Sequence, residues 1–164
     1  MSKTVRRQSG FTLVELLMAM AISVILLGGL AIAFNAAMTN FTVNKDVFYA
    51  LTSARGALKR MTQQLRTGYA VDPTAPGNQC RFFSSTGDDI TFDFRSSDKT
   101  LYLITNSDGN EYVLCHNVTN VDFIKTPTDD NLDCVSVQID MTVQEGKLVE
   151  KLSTAVAIRR NLEQ

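Results

Sequence analysis

Histidine and tryptophan are nearly missing from this chain of 164 residues, which has one His and no Trp. A single imidazole, His116, cannot form a histidine cluster around a catalytic metal, and no GxSxG-type serine motif gives it a nucleophile to activate. His116 is therefore expected at a strand end. Cysteine is limited to Cys80, Cys115 and Cys134, none spaced as CxxC, which argues against a zinc ribbon. Nine glycines and three prolines are too few for a collagen-like or disordered chain, and no glycine-rich phosphate loop is present. Charge, too, is missing from one long stretch: over the 34 residues from Phe11 to Asn44 the only charged side chain is Glu15.

What is present is 45% hydrophobic and 20% charged sequence, enough to bury the core of one ordinary domain. The charges are segregated. Lys3, Arg6 and Arg7 put +3 on the first ten residues, Lys45 to Arg66 has five cations against Asp46, and residues 67–164 sum to -7. A basic stem is followed by an acidic head.

The apolar run FTLVELLMAMAISVILLGGLAIAF, Phe11 to Phe34, has 24 residues, long enough at about 1.5 Å per residue to cross a hydrocarbon core of about 30 Å. Cations just before it favour a cytoplasmic N-terminus and an exported C-terminal part. An ordinary cleaved signal, a plain anchor and a prepilin-type leader all compete for this segment. Ala31-Ile32-Ala33 resembles a signal-peptidase site, but the run exceeds an h-region of about 7 to 15 residues. Glu15 also needs an explanation, because a carboxylate costs about 2.5 kcal/mol or more near the bilayer centre and less near the interface.

Ser9-Gly10-Phe11-Thr12-Leu13-Val14-Glu15, after a short basic leader and before an unbroken apolar run, resembles the N-terminal signature of type IV prepilins and type II secretion pseudopilins over residues 6–34. The resemblance implies that a membrane prepilin peptidase cuts between Gly10 and Phe11 on the cytoplasmic side and methylates the new Phe11 amine. A glycine before the cut leaves the backbone open to a protease and lets the chain leave the helix. The resemblance further implies that Glu15 pairs with the Phe11 amine of a neighbouring subunit during filament assembly, replacing a lone intramembrane charge by a paired one. Major pilins commonly carry a proline within this helix, whereas the first here is Pro73. Softening is instead expected at Gly28-Gly29. The departure weakens the case for a major pilin and leaves minor pilins and pseudopilins untouched.

Beyond the membrane segment, Val47, Leu51, Ala54, Leu58, Met61 and Leu65 alternate at spacings of four and three, one face of a helix ended by Thr67-Gly68 and Pro73. A coiled coil is the weaker reading of these heptads, interrupted by Gly56. The stronger is an inner face against a C-terminal sheet. The period then changes to two, as in Ile90, Phe92, Phe94 and in Val135, Val137, Ile139, Met141, Val143. Strands are expected near 80–84, 90–95, 100–105, 111–115, 120–125, 134–144 and 147–159, joined by short turns. The fold class is α+β: a long N-terminal helix packed against an antiparallel β head. Its parts are a leader over 1–10, a transmembrane helix over 11–34, an amphipathic continuation over 35–67 and a head over 68–164. Asn117 to Phe123 and Thr154 to Asn161 are similar to the C-terminal halves of J-type pseudopilins and related minor pilins.

In an exported head three cysteines allow one disulfide and three pairings, with Cys115 to Cys134 favoured for its short loop. Asp129, Asp130 and Asp133 crowd one loop and form a weak Ca²⁺ candidate without EF-hand spacing, a solvated turn being the simpler reading. The basic stem face could meet DNA phosphates, as in some minor pilins of uptake systems. It pairs more naturally with the acidic heads of neighbouring subunits, so nucleic acid is not an expected partner. The reading is a structural subunit without catalysis, cofactor or bound metal, made in the bacterial inner membrane and assembled into a type IV pilus or type II secretion pseudopilus. Prepilin peptidase, other pilins, the assembly platform and membrane lipid are its partners. The alternative is a tip subunit that binds DNA or a surface on the same scaffold.

Overall fold

A computed structural model describes residues 10–159. The leader residues before Gly10, and Arg160 and Asn161, lie outside the described residues. Contacts divide the chain into two units, Met1–Val43 and Asn44–Gln164.

One helix, α1, runs over Leu13–Thr67, within two residues of its expected start and ending where expected. It continues through Gly28-Gly29 without a break, so the expected softening is not seen there. Every described residue of the first unit is exposed, including Leu16, Ile25, Leu30 and Phe34. This helix is long and apolar enough to cross a membrane.

In the second unit the helix buries Ala54, Ala57, Leu58, Met61 and Leu65, with Leu51 packed at the edge. The 3.6-residue period puts these positions on one stripe, and the stripe forms the floor of the core. Helix α1 ends against a tight neighbour: a Cβ on Gly68 would sit 2.8 Å from the Phe82 ring and 3.0 Å from the Phe83 carbonyl oxygen. Tyr69 and Phe83 then exchange two backbone hydrogen bonds of 2.9 Å and stack their rings, which aims the chain into the first strand.

Seven strands follow: β1 (Gln79–Phe83), β2 (Asp89–Arg95), β3 (Thr100–Thr105), β4 (Asn110–Cys115), β5 (Val118–Pro127), β6 (Cys134–Glu145) and β7 (Leu148–Ala157). They match the seven expected spans closely, but they form two antiparallel meanders in place of one sheet, in the orders β1-β2-β3-β4 and β5-β6-β7. Each connection is short enough for a hairpin, and the left-handed conformations fall in the turns, at Gly87, Lys99, Gly109, Asn117, Asn131 and Gly146. The break falls between β4 and β5, where Asn117 at φ 59° turns the chain out of the first sheet. The sheets share a core, bridged by Phe92 of β2 stacked on Phe123 of β5 at 6.4 Å, while Phe82 packs on Phe92 at 5.2 Å within the first sheet. Backbone also joins them, the Phe123 N–H donating to the Gly77 carbonyl at 2.7 Å.

Candidate functional site

The expected processing and assembly residues lie together at the start of α1. Among the described residues, nothing lies within 4 Å of where a Cβ on Gly10 would stand, and Phe11 is 85% exposed. Thr12 and Glu15 close a capping box. The Thr12 N–H and its hydroxyl both donate to Glu15 Oε2 at 3.0 Å, and the Glu15 N–H donates back to Thr12 Oγ1 at 3.2 Å. A box of this kind satisfies amides that the first helical turn leaves without partners. It also places the carboxylate at the positive end of the helix dipole. The pattern Thr-x-x-Glu is visible in the sequence, whereas the expectation for Glu15 names only an amine from a neighbouring subunit. Here it has a partner within its own chain.

The other expected site residues are scattered over the head. Cys115 ends β4 in the first sheet and donates its thiol to the His116 carbonyl at 3.3 Å. Cys134 opens β6 in the second sheet and donates to the Val71 carbonyl at 3.4 Å. Among the described residues no bridge joins the two, and strand β5 fills most of the sequence between them. All three cysteine side chains are buried. Burial pushes the Cys80 thiol up to about 12 and the Cys134 thiol up to about 11.

Two of the three aspartates of the calcium candidate have partners within the head. Asp133 spends its carboxylate on backbone amides, accepting from Ala70 at 2.8 Å, Val71 at 2.7 Å and Cys134 at 2.6 Å. Asp130 accepts from the Thr128 hydroxyl and from the Leu132 N–H, which holds its carboxyl below the ordinary range. Asp129 is exposed. Among the described residues no group of three His, Cys, Asp or Glu is placed to hold a metal. The sequence reading missed what this loop does, which is to fasten the segment after α1. No composition signal reveals it, because the partners are backbone amides more than 60 positions earlier. His116 follows β4, as expected, with Nδ1 at 3.3 Å from Thr100 Oγ1. Lys45, Arg55, Lys59, Arg60 and Arg66 are all exposed on the helix.

A long apolar N-terminal helix set on antiparallel sheets, with a carboxylate in its first turn, is the α+β layout of pilin-like proteins. Residues 5–31 match the family model described as the prokaryotic N-terminal methylation motif. That match, confined to the N-terminal segment, supports a type IV pilin- or pseudopilin-like processed subunit and implies processing by a prepilin peptidase and assembly with other pilins. The motif family is structural rather than enzymatic, and the apolar helix that carries it fits anchoring in the inner membrane. No curated protein and no solved structure matches the chain.

Proposed function

We propose that the chain is a minor pilin or pseudopilin, cut between Gly10 and Phe11, methylated on Phe11 and inserted into a filament by its N-terminal helix. The observation that carries this reading is the start of α1: an exposed Gly10-Phe11 pair followed by an apolar helix with one carboxylate, in a segment matching the methylation motif. Residues 11–34 hold the subunit in the membrane, residues 35–67 continue the helix, and the head from residue 68 is exported while the leader stays cytoplasmic.

The capping box refines the role of Glu15. Both hydrogen bonds from Thr12 reach Oε2, which leaves Oε1 as an acceptor for a further donor. In the membrane the box lowers the cost of the carboxylate while the subunit waits. In the filament the cationic Phe11 amine of an adjacent subunit pairs with the same carboxylate, and that pair sets the register of helix against helix. The head stabilises the subunit and presents the surface.

Gly10→Ala should leave a precursor of full length, read by intact mass of membrane-extracted protein; a mutant that matures to wild-type mass refutes the peptidase assignment. Glu15→Ala should insert into the membrane normally and be depleted from sheared filaments. Equal incorporation would remove the pairing role.

A further inference from the structure

The beginnings of β1 and β6 are both fastened to residues 70–72. Asp133 takes the amides of Ala70 and Val71. The next peptide group, between Val71 and Asp72, is held from both sides: its carbonyl accepts the Cys134 S–H at 3.4 Å, and its N–H donates to the Arg81 carbonyl at 2.9 Å. Arg81 directly follows Cys80. The Lys125 ammonium, donating to the Ala75 carbonyl at 2.7 Å, closes the same corner from β5. Cys80 and Cys134 are both fully buried there, in the core shared by the two sheets. Cys115 is elsewhere, at the end of β4 with Ser53 of the helix beside it.

We propose that Cys80 and Cys134 form a disulfide that ties the first sheet to the second, with Cys115 left as the single reduced thiol. The proposal rests on the exported head described above, since an oxidising compartment is where such a bond persists. The step is thiol–disulfide exchange: the two S–H bonds break, one S–S bond forms, and two electrons and two protons pass to the disulfide of an oxidant, an oxidoreductase or glutathione disulfide, which leaves as two thiols. Lys125 and Asp72 act on both sulfurs, and each thiol is strongly disfavoured as a thiolate once buried. Exchange needs a thiolate, so the bond forms while the head is folding and is afterwards shielded from reductant.

Cleavage after lysine and arginine places the three cysteines on separate peptides, 67–81, 100–125 and 126–147. Membrane-extracted full-length protein is denatured in N-ethylmaleimide, digested without reductant and weighed, and the side on which the head lies is read from protease accessibility in spheroplasts. The expected result is peptide 67–81 joined to 126–147, two hydrogens lighter than the separate pair, with maleimide on Cys115 alone. A link that includes 100–125, or three labelled cysteines in a head shown to be exported, overturns the pairing. Three labelled cysteines in a head on the cytoplasmic side overturn the exported placement instead. The pairing is then decided by refolding the reduced full chain in detergent with reduced and oxidised glutathione, where formation of the 67–81 to 126–147 link sustains it and failure to form that link overturns it. Cys115→Ser should preserve the link in either setting.

Discussion

Asp133 shows how much one side chain decides in this head. Its two oxygens satisfy the amides of Ala70 and Val71, and Ala70 is held at φ 51°, a conformation that favours glycine. Replacing Asp133 by alanine removes the acceptor from the partly buried Val71 N–H and from the exposed Ala70 N–H, so unfolding of the full chain in urea should show a loss of about 1–3 kcal/mol. Gly68 gives a second residue-scale expectation. An alanine methyl there would meet the Phe83 carbonyl at 3.0 Å and the Gln64 carbonyl at 3.1 Å, and backbone cannot step aside as a side chain can. Gly68→Ala should lower the melting temperature of the head at a cost of about 1–3 kcal/mol. The same substitution at Gly10, where a methyl would meet nothing among the described residues, should leave melting unchanged. The Thr12-Glu15 box is legible in the sequence because its partners are three positions apart. Asp133 is not, because its partners lie far away along the chain.

At the scale of elements, α1 is one helix with two environments. From Leu13 to Val43 its side chains are exposed, and from Ala54 to Leu65 one stripe is buried beneath the head. Met61 lies fully inside that stripe. Met61→Ala should therefore cost about 2–5 kcal/mol in head stability, measured by circular dichroism melting of the detergent-solubilised chain. Leu30→Ala, on the exposed part, should leave the same melting curve in place. The helical stripe and the alternating strands could be read directly, since periods of 3.6 and 2 are properties of the sequence. Where the seven strands separate into sheets could not. The break depends on Asn117 turning the chain after β4 and on Phe92 meeting Phe123 across the core, and neither is a periodic signal.

For the whole molecule, the acidic head makes stability depend on pH. Asp140 of β6 is held far below the ordinary carboxylate range by hydrogen bonds from Gln138, Ser153 and Lys151. Arg81 lowers Asp89, and Arg95 lowers Glu111 while its guanidinium also lies over the Tyr102 ring at 4.5 Å. A carboxylate whose folded pKa is depressed stabilises the fold above its unfolded value, and the contribution is lost as pH falls through the folded one. Stability should thus be level near neutrality and decline below about pH 4, the range of unfolded carboxylates. Asp140→Asn should make that acid decline shallower, as followed by tyrosine fluorescence between neutral pH and strong acid. An unchanged acid limb would show that Asp140 titrates alike in the folded and unfolded chain.

The sequence by itself determined the local features: an apolar run long enough for a bilayer, a glycine and an aromatic before it, an acid in its first turn, and the periods that make a helix and seven strands. Each depends on residues within a few positions of one another, so each can be read without knowing the fold. Tertiary structure decided how the strands divide into sheets, the fate of the acidic loop and the company each cysteine keeps. These depend on which distant segments meet. The amides of residues 70–71 come to Asp133 only after the core has formed, and the same folding brings Cys134, not Cys115, to the Val71 carbonyl.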